Sequence, residues 1–519
     1  MTSTTPTFKH PLIPARTISA VRLPHKPPDS LWDITFSPPD PSSSSPTSTI
    51  TSITPHNPPN TAINPPLALP PLTHPHIHLD KAFLHRHHHH HPSTTTPYHL
   101  PTTGTFPEAL HLTSLAKSHF TPADLLTRGR WVLADSVRSG VTALRAFVEV
   151  DETVGRMCLD VAVQLKREWA GRCAVQIVCF AQEGVFSGPH GRARGDGDGE
   201  GEGNRGLIER VLADHATGPD GDGGIDVLGT TPYVESDSDE DDDDDSPPAY
   251  RKNIDWAITT ALNHNLHLDF HLDYNLDPSR PASAWYVLRA LVRAGWTRSM
   301  SSKKVMLGHC TRLTLFDDAQ WRALARYIGA NNLPVYFVGL PTSDLYMAAQ
   351  PSSSQSQSQS PSQLRYLQPR GTLPVPQLIR VYGLRATLGV NNVGNAFTPW
   401  GSLDPLALAS LGVGVYQAGT VADAELLYEC VSVRAREAIG LVAGEGVEVR
   451  VGDPGEVLLI GYGDGDGGFG AMEGLEGKGY RSVAEVVWEP PAVGIRRVVC
   501  DGLWEDVGSG KRGEEEEDG

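Results

Sequence analysis

Two histidines in the stretch PHIHLDK, His76 and His78, stand two positions apart in an apolar run. On a β-strand this spacing sends both side chains to the same face, so the two imidazoles can converge on one ion. Histidine is the commonest protein ligand of transition metals. The pair alone is a weak signal, because two structural histidines in a packed core give the same pattern.

Two further histidines favour the metal interpretation. His271 lies in LDFHLDYN and His309 in MLGHCTRL, each near the end of a short run that is typical of a strand. In a parallel barrel the carboxyl ends of the strands face one mouth, where catalytic residues of such folds lie. Four histidines in this register therefore predict a site at a barrel mouth.

A different run of histidines, His87–His91, follows in a polar loop that ends at Pro92. Consecutive residues do not share a face of a strand. We therefore interpret this run as a disordered tract outside the site; adventitious metal binding by the run is the alternative.

The elements that must position the four histidines alternate regularly. Eight short apolar or β-branched runs recur, and helix-like stretches such as 123–140 and 317–330 lie between many of them. This alternation predicts an α/β fold, a (β/α)8 TIM-like barrel with a parallel sheet. The predicted strands are the segment ending in HIHLD and the runs 142–150, 174–180, 225–234, 266–274, 304–311, 334–341 and 386–392.

The two ends of the chain depart from this alternation. They carry the short strand-like runs TISAVRLP, LWDITFSP, VEVRVGDPGEVLLIGYG and IRRVVCDGLW, which we expect to form a small β-sandwich beside the barrel. The predicted domains are an N-terminal sandwich part with a Pro/Ser-rich insertion (8–66), the barrel (67–425), a C-terminal helix and sandwich part (426–505) and an acidic tail (506–519).

Four low-complexity segments interrupt the chain. They are rich in Pro and Ser at 37–60, in Gly and Asp at 191–206, in acids at 235–248 and in Ser and Gln at 351–363. None has enough apolar surface to order itself, so each is predicted to loop out as a disordered insertion.

Composition narrows the class of protein. The chain of 519 residues has a formal net charge of -18, which argues against nucleic acid as a partner because phosphate binding needs basic patches. Its six scattered cysteines, without a CxxC pair, predict buried free thiols in a reducing compartment. With no signal-peptide core and no apolar run of about 18 residues, we expect a soluble, cytoplasmic protein without a membrane partner.

The sequence resembles the amidohydrolase superfamily of metal-dependent hydrolases, specifically its cytosine deaminase and N-isopropylammelide amidohydrolase-like branch. PHIHLDK is similar to the first-strand metal motif, IVCFAQEG (177–184) to the third-strand motif and GTTPYVE (229–235) to the fourth-strand turn. GDPGEVLLI resembles part of the family's C-terminal sandwich. The resemblance covers most of the chain outside the low-complexity segments.

The resemblance implies one divalent transition metal, zinc or iron, held by His76, His78 and His271. In the family this ion turns water into hydroxide, which attacks an amidine carbon and expels ammonia. His309 falls on the catalytic histidine of strand six, and Gln182 on the glutamine that contacts the amide edge of a pyrimidine. The implied partner is a small heterocyclic substrate, and homo-oligomerisation stays open because family members are often oligomers.

Two catalytic positions differ from the family pattern. Asn391 stands where the family has an Asp at the end of strand eight, with Asn392 beside it as a substrate-binding candidate, and Tyr274 stands where it has a proton-shuttling Glu. Asn cannot accept a proton, and Tyr, with a pKa near 10, is a slow shuttle. Asn391 and Tyr274 therefore predict an altered acid–base mechanism.

Several nearby groups are candidates for a replacement base. Asp273 alternates with His271, so we expect it on the same inward face of the strand, and Asp80 has the same phase as His78. Glu149 and Glu183 are further candidates that we interpret first as salt-bridged structural acids. Lys81 is expected to pair with a nearby carboxylate and not to react.

Together these features predict a metal-dependent hydrolase that acts on C–N bonds, other than peptide bonds, of a small cyclic amidine or amide. It would be deaminase-like, with non-standard acid–base residues. The alternative hypothesis is a pseudoenzyme that keeps the barrel pocket and binds a ligand or partner without turnover.

Overall fold

A computed structural model describes most of the chain and leaves several segments undescribed. The predicted disordered tract His87–His91, the acidic tail 506–519, all of 351–363 and most of 191–206 and 235–248 lie outside the described residues. The described residues are 12–14, 16–38, 48–57, 64–85, 99–186, 203–216, 224–235, 248–350, 368–461, 479–500 and 503–505.

The strands of the described residues form three sheets. Five strands precede the barrel: β1 (Leu12–Pro14), β2 (Thr17–Val21), β3 (Trp32–Phe36), β4 (Ile50–Pro55) and β5 (Leu67–Leu69). Eight form it: β6 (Leu72–His78), β7 (Val141–Glu149), β8 (Ala174–Ala181), β9 (Val227–Thr230), β10 (His267–Leu272), β11 (Val305–His309), β12 (Val335–Gly339) and β13 (Ala386–Leu388). Three follow it: β14 (Val457–Ile460), β15 (Arg496–Cys500) and β16 (Leu503–Glu505).

Strands β6 to β13 pair in parallel, each with the next strand along the chain. The sheet closes at Asn391, just after β13, whose backbone N–H donates to His76 O at 3.1 Å and whose carbonyl accepts from His78 N at 2.8 Å. Because both faces of a parallel barrel are covered, these strands are almost entirely buried and read as apolar runs. The predicted (β/α)8 barrel is confirmed.

Helices cover the outside of the barrel, and many begin at a side chain that caps their free N–H groups, such as Thr121, Asp317 and Asp404. They are α1 (Phe106–Lys117), α2 (Pro122–Ser139), α3 (Met157–Glu168), α4 (Gly203–Ala216), α5 (Ala249–Asn263), α6 (Ala284–Arg293), α7 (Asp318–Ala330), α8 (Pro341–Met347), α9 (Val375–Arg380), α10 (Pro405–Val415), α11 (Val421–Cys430), α12 (Val433–Ala438) and α13 (Val483–Trp488).

The two ends of the chain form the predicted small β-sandwich. One sheet is antiparallel with the order β1-β16-β15-β14-β5, and the other has the order β2-β3-β4. Buried side chains from both sheets, including Ile34, Ile50, Val457 and Val499, form a second apolar core. Because β5 belongs to this sandwich, the barrel strands begin at Leu72, slightly after the predicted boundary at 67; the other boundaries stay predictions.

One sequence prediction about the sandwich is wrong. The segment 37–60 was expected to be a disordered insertion, yet β4 lies within it and pairs with β3. The run ITSIT is rich in β-branched residues, which favour strands, and Ile50 is buried in the sandwich core. The surrounding Pro and Ser residues obscure this short strand in the sequence.

All six cysteines are buried free thiols, as predicted. Among the described residues, no helix combines the length and the apolar character that a membrane crossing needs.

Candidate active site

Three histidines converge at the mouth of the barrel. His76 and His78 project from β6 and His271 from β10, on the far side of the barrel. The Nε2 atom of His271 lies 3.2 Å from Nε2 of His76 and 3.0 Å from Nε2 of His78. All three side chains are buried, and each can offer one ligand atom to a single ion.

The arrangement fits a metal ion. Tetrahedral zinc with Zn–N bonds of about 2.0–2.1 Å sets neighbouring ligand nitrogens roughly 3.3 Å apart, close to the spacing of these Nε2 atoms. Burial, together with the positive charges nearby, holds the pKa of all three imidazoles well below the ordinary value. The neutral imidazole is the form that binds metal, so the cluster is prepared for a cation.

Aromatic rings hold the three imidazoles in place. The Phe147 ring centre lies 4.0 Å from that of His76, and the Phe180 ring centre lies 4.5 Å from that of His271. Both phenylalanines are fully buried on adjacent strands, β7 and β8. This apolar packing excludes water from the sides of the imidazole rings and limits their rotation.

His309 is held by a carboxylate that sequence reasoning missed. Its Nδ1 lies 2.8 Å from Oδ1 of Asp344, a fully buried residue in α8. The other Asp344 oxygen accepts hydrogen bonds from Thr372 Oγ1 at 2.7 Å and Leu340 N at 3.2 Å. Asp344 lies five residues beyond the end of β12, so the rule that strands point their carboxyl ends at the mouth was the signal that could have found it.

Tyr274 lies flat against His309. The two ring centres are 3.8 Å apart with planes 26° from parallel, and the Tyr274 hydroxyl donates to Ser343 O at 3.1 Å. Burial raises the pKa of Tyr274 well above 10. With its proton committed to a carbonyl, Tyr274 serves as a wall of the pocket; its predicted place in the proton chemistry stays a prediction.

Asn391 closes the barrel beside His76. Its backbone has a positive φ of 66°. Its side chain lies next to the His76 ring, and its buried Oδ1 makes no well-formed hydrogen bond with the described residues. The neighbouring Asn392 accepts a hydrogen bond from Asn395 Nδ2 at 2.8 Å. Asn391 thus offers the site a neutral oxygen that cannot take up a proton.

The expectation that Asp273 faces inward as a base is wrong. Strand β10 ends at Leu272, and Asp273 has a positive φ of 51°, which breaks the alternation of side chains. Its carboxylate accepts from the backbone N–H groups of Ser283 and Ala284, at 2.8 and 3.0 Å. Asp273 therefore stabilises the start of α6 instead of facing the histidines.

A buried group of charges adjoins the histidines. Lys81 lies 2.7 Å from Glu149 Oε1 and donates to Gln182 Oε1 at 2.9 Å. Lys117 lies 2.6 Å from Glu149 Oε2 and 2.8 Å from Glu183 Oε1. Lys81 thus pairs with a carboxylate, as predicted, and the interpretation of Glu149 and Glu183 as salt-bridged acids is confirmed by these contacts.

Asp80 belongs to the same group and is structural. Its Oδ2 accepts the backbone N–H of Glu149 at 2.7 Å, which ties the end of β6 to the end of β7. Burial, with a contribution from the Glu149 charge, raises the pKa of Asp80 to about 6. The contact with the Glu149 backbone gives Asp80 a positioning role and leaves its predicted role as a base without support.

Helix α1 covers the mouth. The Phe106 ring centre lies 5.9 Å from that of Tyr274 and 5.7 Å from that of Phe397. At the other end of the helix, Lys117 joins the buried charges. The histidines are therefore enclosed by aromatic side chains, and Gln182 is half-buried.

Comparison with solved structures finds similar proteins, whereas comparison with family models and curated sequences finds none. No family model and no curated protein sequence matches it. Among solved structures, the 5-methylcytosine deaminase from Klebsiella pneumoniae with 5-fluorocytosine has a TM-score of 0.68 at 19% identity, over 94% of this chain and 96% of that chain. At this identity the likeness shows that the two chains share a fold.

Two further structures extend the comparison. The N-isopropylammelide isopropylaminohydrolase from Burkholderia multivorans has a TM-score of 0.63 at 20% identity, over 94% of this chain and 97% of that chain. The atrazine chlorohydrolase from Arthrobacter aurescens, complexed with zinc, has a TM-score of 0.57 at 14% identity, over 94% of each chain. All three comparisons show the same barrel fold over most of this chain.

Proposed function

We propose that the protein is a metal-dependent hydrolase that cleaves an exocyclic C–N bond of a small heterocyclic amidine or amide. The observation that carries this proposal is the cluster of three buried, neutral histidines, in which Nε2 of His271 lies 3.2 Å from Nε2 of His76 and 3.0 Å from Nε2 of His78. His76, His78 and His271 would hold one divalent transition metal, zinc or iron. The solved structures of the same fold support the class of reaction, and none of them favours a pseudoenzyme.

Held by these three histidines, a metal would supply activated water at neutral pH, because coordination can lower the pKa of water from 15.7 to about 7. The chain itself must then move a proton. We assign this step to His309, whose Nδ1–H is held by Asp344, so that Nε2 keeps the lone pair that accepts the proton and returns it to the leaving nitrogen. Asn391 is proposed to orient the reacting groups, and it takes no part in proton transfer.

Gln182 is proposed to bind the substrate. It is half-buried at the end of β8, two positions beyond Phe180, which packs on His271. Its amide can pair with an amide edge of a ring. Asn392 is a second proposed contact, and Tyr274, Phe106 and Phe397 would enclose the ring.

Metal content per chain is the first test. In protein with His87–His91 replaced by serine, we expect about one zinc or iron per chain by mass spectrometry. The further replacement of His76 and His78 by alanine should remove it. A panel of amino-substituted pyrimidines and triazines, assayed for ammonia or amine release, then tests turnover.

The variant that also lacks His76 and His78 distinguishes metal bound at the barrel site from metal bound elsewhere. If metal persists after His76 and His78 are changed, the barrel cluster is not the metal site and the proposal fails. If the metal is present but no amine is released from any member of the panel, the hydrolase assignment fails while the metal site stands.

A further inference from the structure

We propose that Lys81 locks the side-chain amide of Gln182 in one orientation, so that the site binds a heterocycle edge of one polarity and rejects its reverse. The inference rests on the proposed function in taking Gln182 as a substrate contact. The inference goes beyond the proposed function because it names the residue that sets specificity and the substrate feature that is recognised, the order of hydrogen-bond donor and acceptor.

The orientation of Gln182 follows from the chemistry of lysine. Lys81 Nζ lies 2.9 Å from the Gln182 side chain. An ammonium group has three donors and no acceptor, so the Gln182 atom that faces it must be the oxygen. Rotation of the amide by 180° would set its N–H2 against the ammonium, donor against donor. The Nε2 group therefore points to the other side, where Thr231 Oγ1 lies 3.5 Å away.

The Gln182 amide is held firmly because the side chain of Lys81 is itself held in place. Its side chain is about 2% exposed and forms an ion pair of 2.7 Å with Glu149 Oε1, also buried. Its Nζ lies 5.7 Å from the ring centres of both Phe180 and Phe397. Gln182 keeps exposed surface, so it is the member of the pair that a ligand meets.

The fixed orientation of the Gln182 amide determines which hydrogen-bonding groups a ligand must present. Lys81 occupies one lone pair of Oε1, and the second lone pair can accept an N–H from the ring. Nε2 can only donate, so the ligand must place a carbonyl oxygen or an unprotonated ring nitrogen on the Thr231 side. The preferred ligands are heterocyclic amides with a donor towards Lys81 and an acceptor away from it.

Two inert isomers test the proposal without turnover. 2-Pyrimidinone and 4-pyrimidinone carry their N–H and C=O groups in different order around the ring and lack the exocyclic amine. In zinc-loaded protein we expect their dissociation constants, measured by calorimetry, to differ roughly tenfold or more, since one unmade hydrogen bond to a buried group costs about a factor of ten.

Lys81→Met should free the amide to rotate and bring the ratio of the two dissociation constants towards one. Methionine is similarly long and unbranched, and Glu149 keeps its ion pair with Lys117 at 2.6 Å. Lys81→Arg, which still donates to Oε1, should keep most of the ratio. The control Lys166→Met removes a lysine of α3 that pairs with Asp226 at 2.9 Å and should leave the ratio unchanged.

Gln182→Glu gives a second route if Lys81→Met does not fold. The new carboxylate still faces Lys81 but has no donor for the ligand, so the isomer that the wild type prefers should bind roughly tenfold more weakly. Equal binding of both isomers to the wild type, no binding of either, or an unchanged ratio in Lys81→Met would overturn the proposal. If none of the amino-substituted pyrimidines and triazines releases ammonia or amine, only the proposed function is refuted.

Discussion

In the proposed mechanism, His309 with its partner Asp344 moves the proton, because Asn391 has no carboxylate to do so. A carboxylate at Asn391 would lie beside His76, whereas Asp344 acts through the far nitrogen of His309. The two arrangements differ in charge, because Asp344 keeps its negative charge away from the three histidines. The ion would thus meet neutral ligands only, which makes it a stronger Lewis acid than one bound by a carboxylate.

Asp344→Asn should lower kcat by about 10²-fold or more, because His309 loses the partner that fixes its tautomer and stabilises its protonated form. Metal content should not change, since Asp344 touches none of the three metal-binding histidines. Steady-state kinetics with metal analysis on the same preparation measures both quantities.

Thr372→Val is the matched control for Asp344→Asn. It removes one hydrogen bond to Asp344 at 2.7 Å but leaves the contact with His309. Its effect on kcat should be within about tenfold. An Asp344→Asn variant with the kcat of the wild type would show that His309 works without the carboxylate.

At the scale of residues, the sequence located the histidines but not their partners. His76, His78, His271 and His309 all lie near the carboxyl ends of barrel strands, and strand alternation brings the first three together. Asp273 could not be placed, because its positive φ depends on how the loop after β10 meets α6. The position of Asp344 beyond β12 was readable, but its contact with His309, at the end of β11, depends on how the two segments pack.

At the scale of elements, buried charges attach helix α1 to the strands beneath it. Lys117, the last residue of α1, contacts Glu149 at the end of β7 and Glu183 beyond β8. Burial alone would raise the pKa of Glu149, but the Lys117 and Lys81 ammonium groups outweigh it and lower that pKa to about 2. The cover over the mouth therefore depends on an ionised Glu149.

Comparison of the wild type with Glu149→Gln at several pH values tests this attachment. Because the folded pKa of Glu149 is about 2 and its ordinary value is 4.5, its stabilising contribution is complete above about pH 4.5 and is lost as the pH falls towards 2. The difference in unfolding free energy between the two proteins, from urea titrations, should be largest near pH 7 and shrink below pH 4.5.

Glu168→Gln is the control for this pH series, and we expect it to change the unfolding free energy only slightly. Glu168 pairs with the partly exposed Arg130, and such pairs contribute about 1 kcal/mol or less. A difference for Glu149→Gln that stays constant from pH 7 to pH 3 would contradict the lowered pKa of Glu149.

The elements themselves were largely predictable. The predicted runs 142–150, 174–180 and 304–311 contain nearly all of β7, β8 and β11, because strands buried on both faces are continuous apolar runs. Helix α1 was not predicted, since its docking depends on the lysine and aromatic contacts at its two ends. Strand β4 was missed because its pairing with β3 and the core beneath it are tertiary features.

At the scale of the molecule, buried ion pairs join the sandwich to the barrel. Arg496 of β15 contacts Asp404, which caps α10, at 2.7 Å, and Arg436 of α12 contacts Glu456, just before β14, at 2.7 Å. Both arginines link the terminal sheets to elements that pack on the barrel. The two parts should therefore unfold together.

Arg496→Met should lower the unfolding free energy by about 3 kcal/mol, because it leaves a partly buried carboxylate and two backbone carbonyls, of Ser139 and Pro491, without their donor. Guanidinium titration measures the change. The control Arg450→Met removes an exposed pair with Glu445 and should change stability by about 0.5 kcal/mol at most. Two separate transitions in the wild type would contradict joint unfolding.

The sheet that unites the two ends of the chain also sets an order of events on the ribosome. Leu69 of β5 pairs with Leu458 of β14, about 390 residues later in synthesis. At roughly 5–20 residues per second, β5 waits on the order of 20 to 80 seconds for its partner. During that interval the edge of β5 that pairs with β14 has no partner, so this sheet can be completed only near the end of translation.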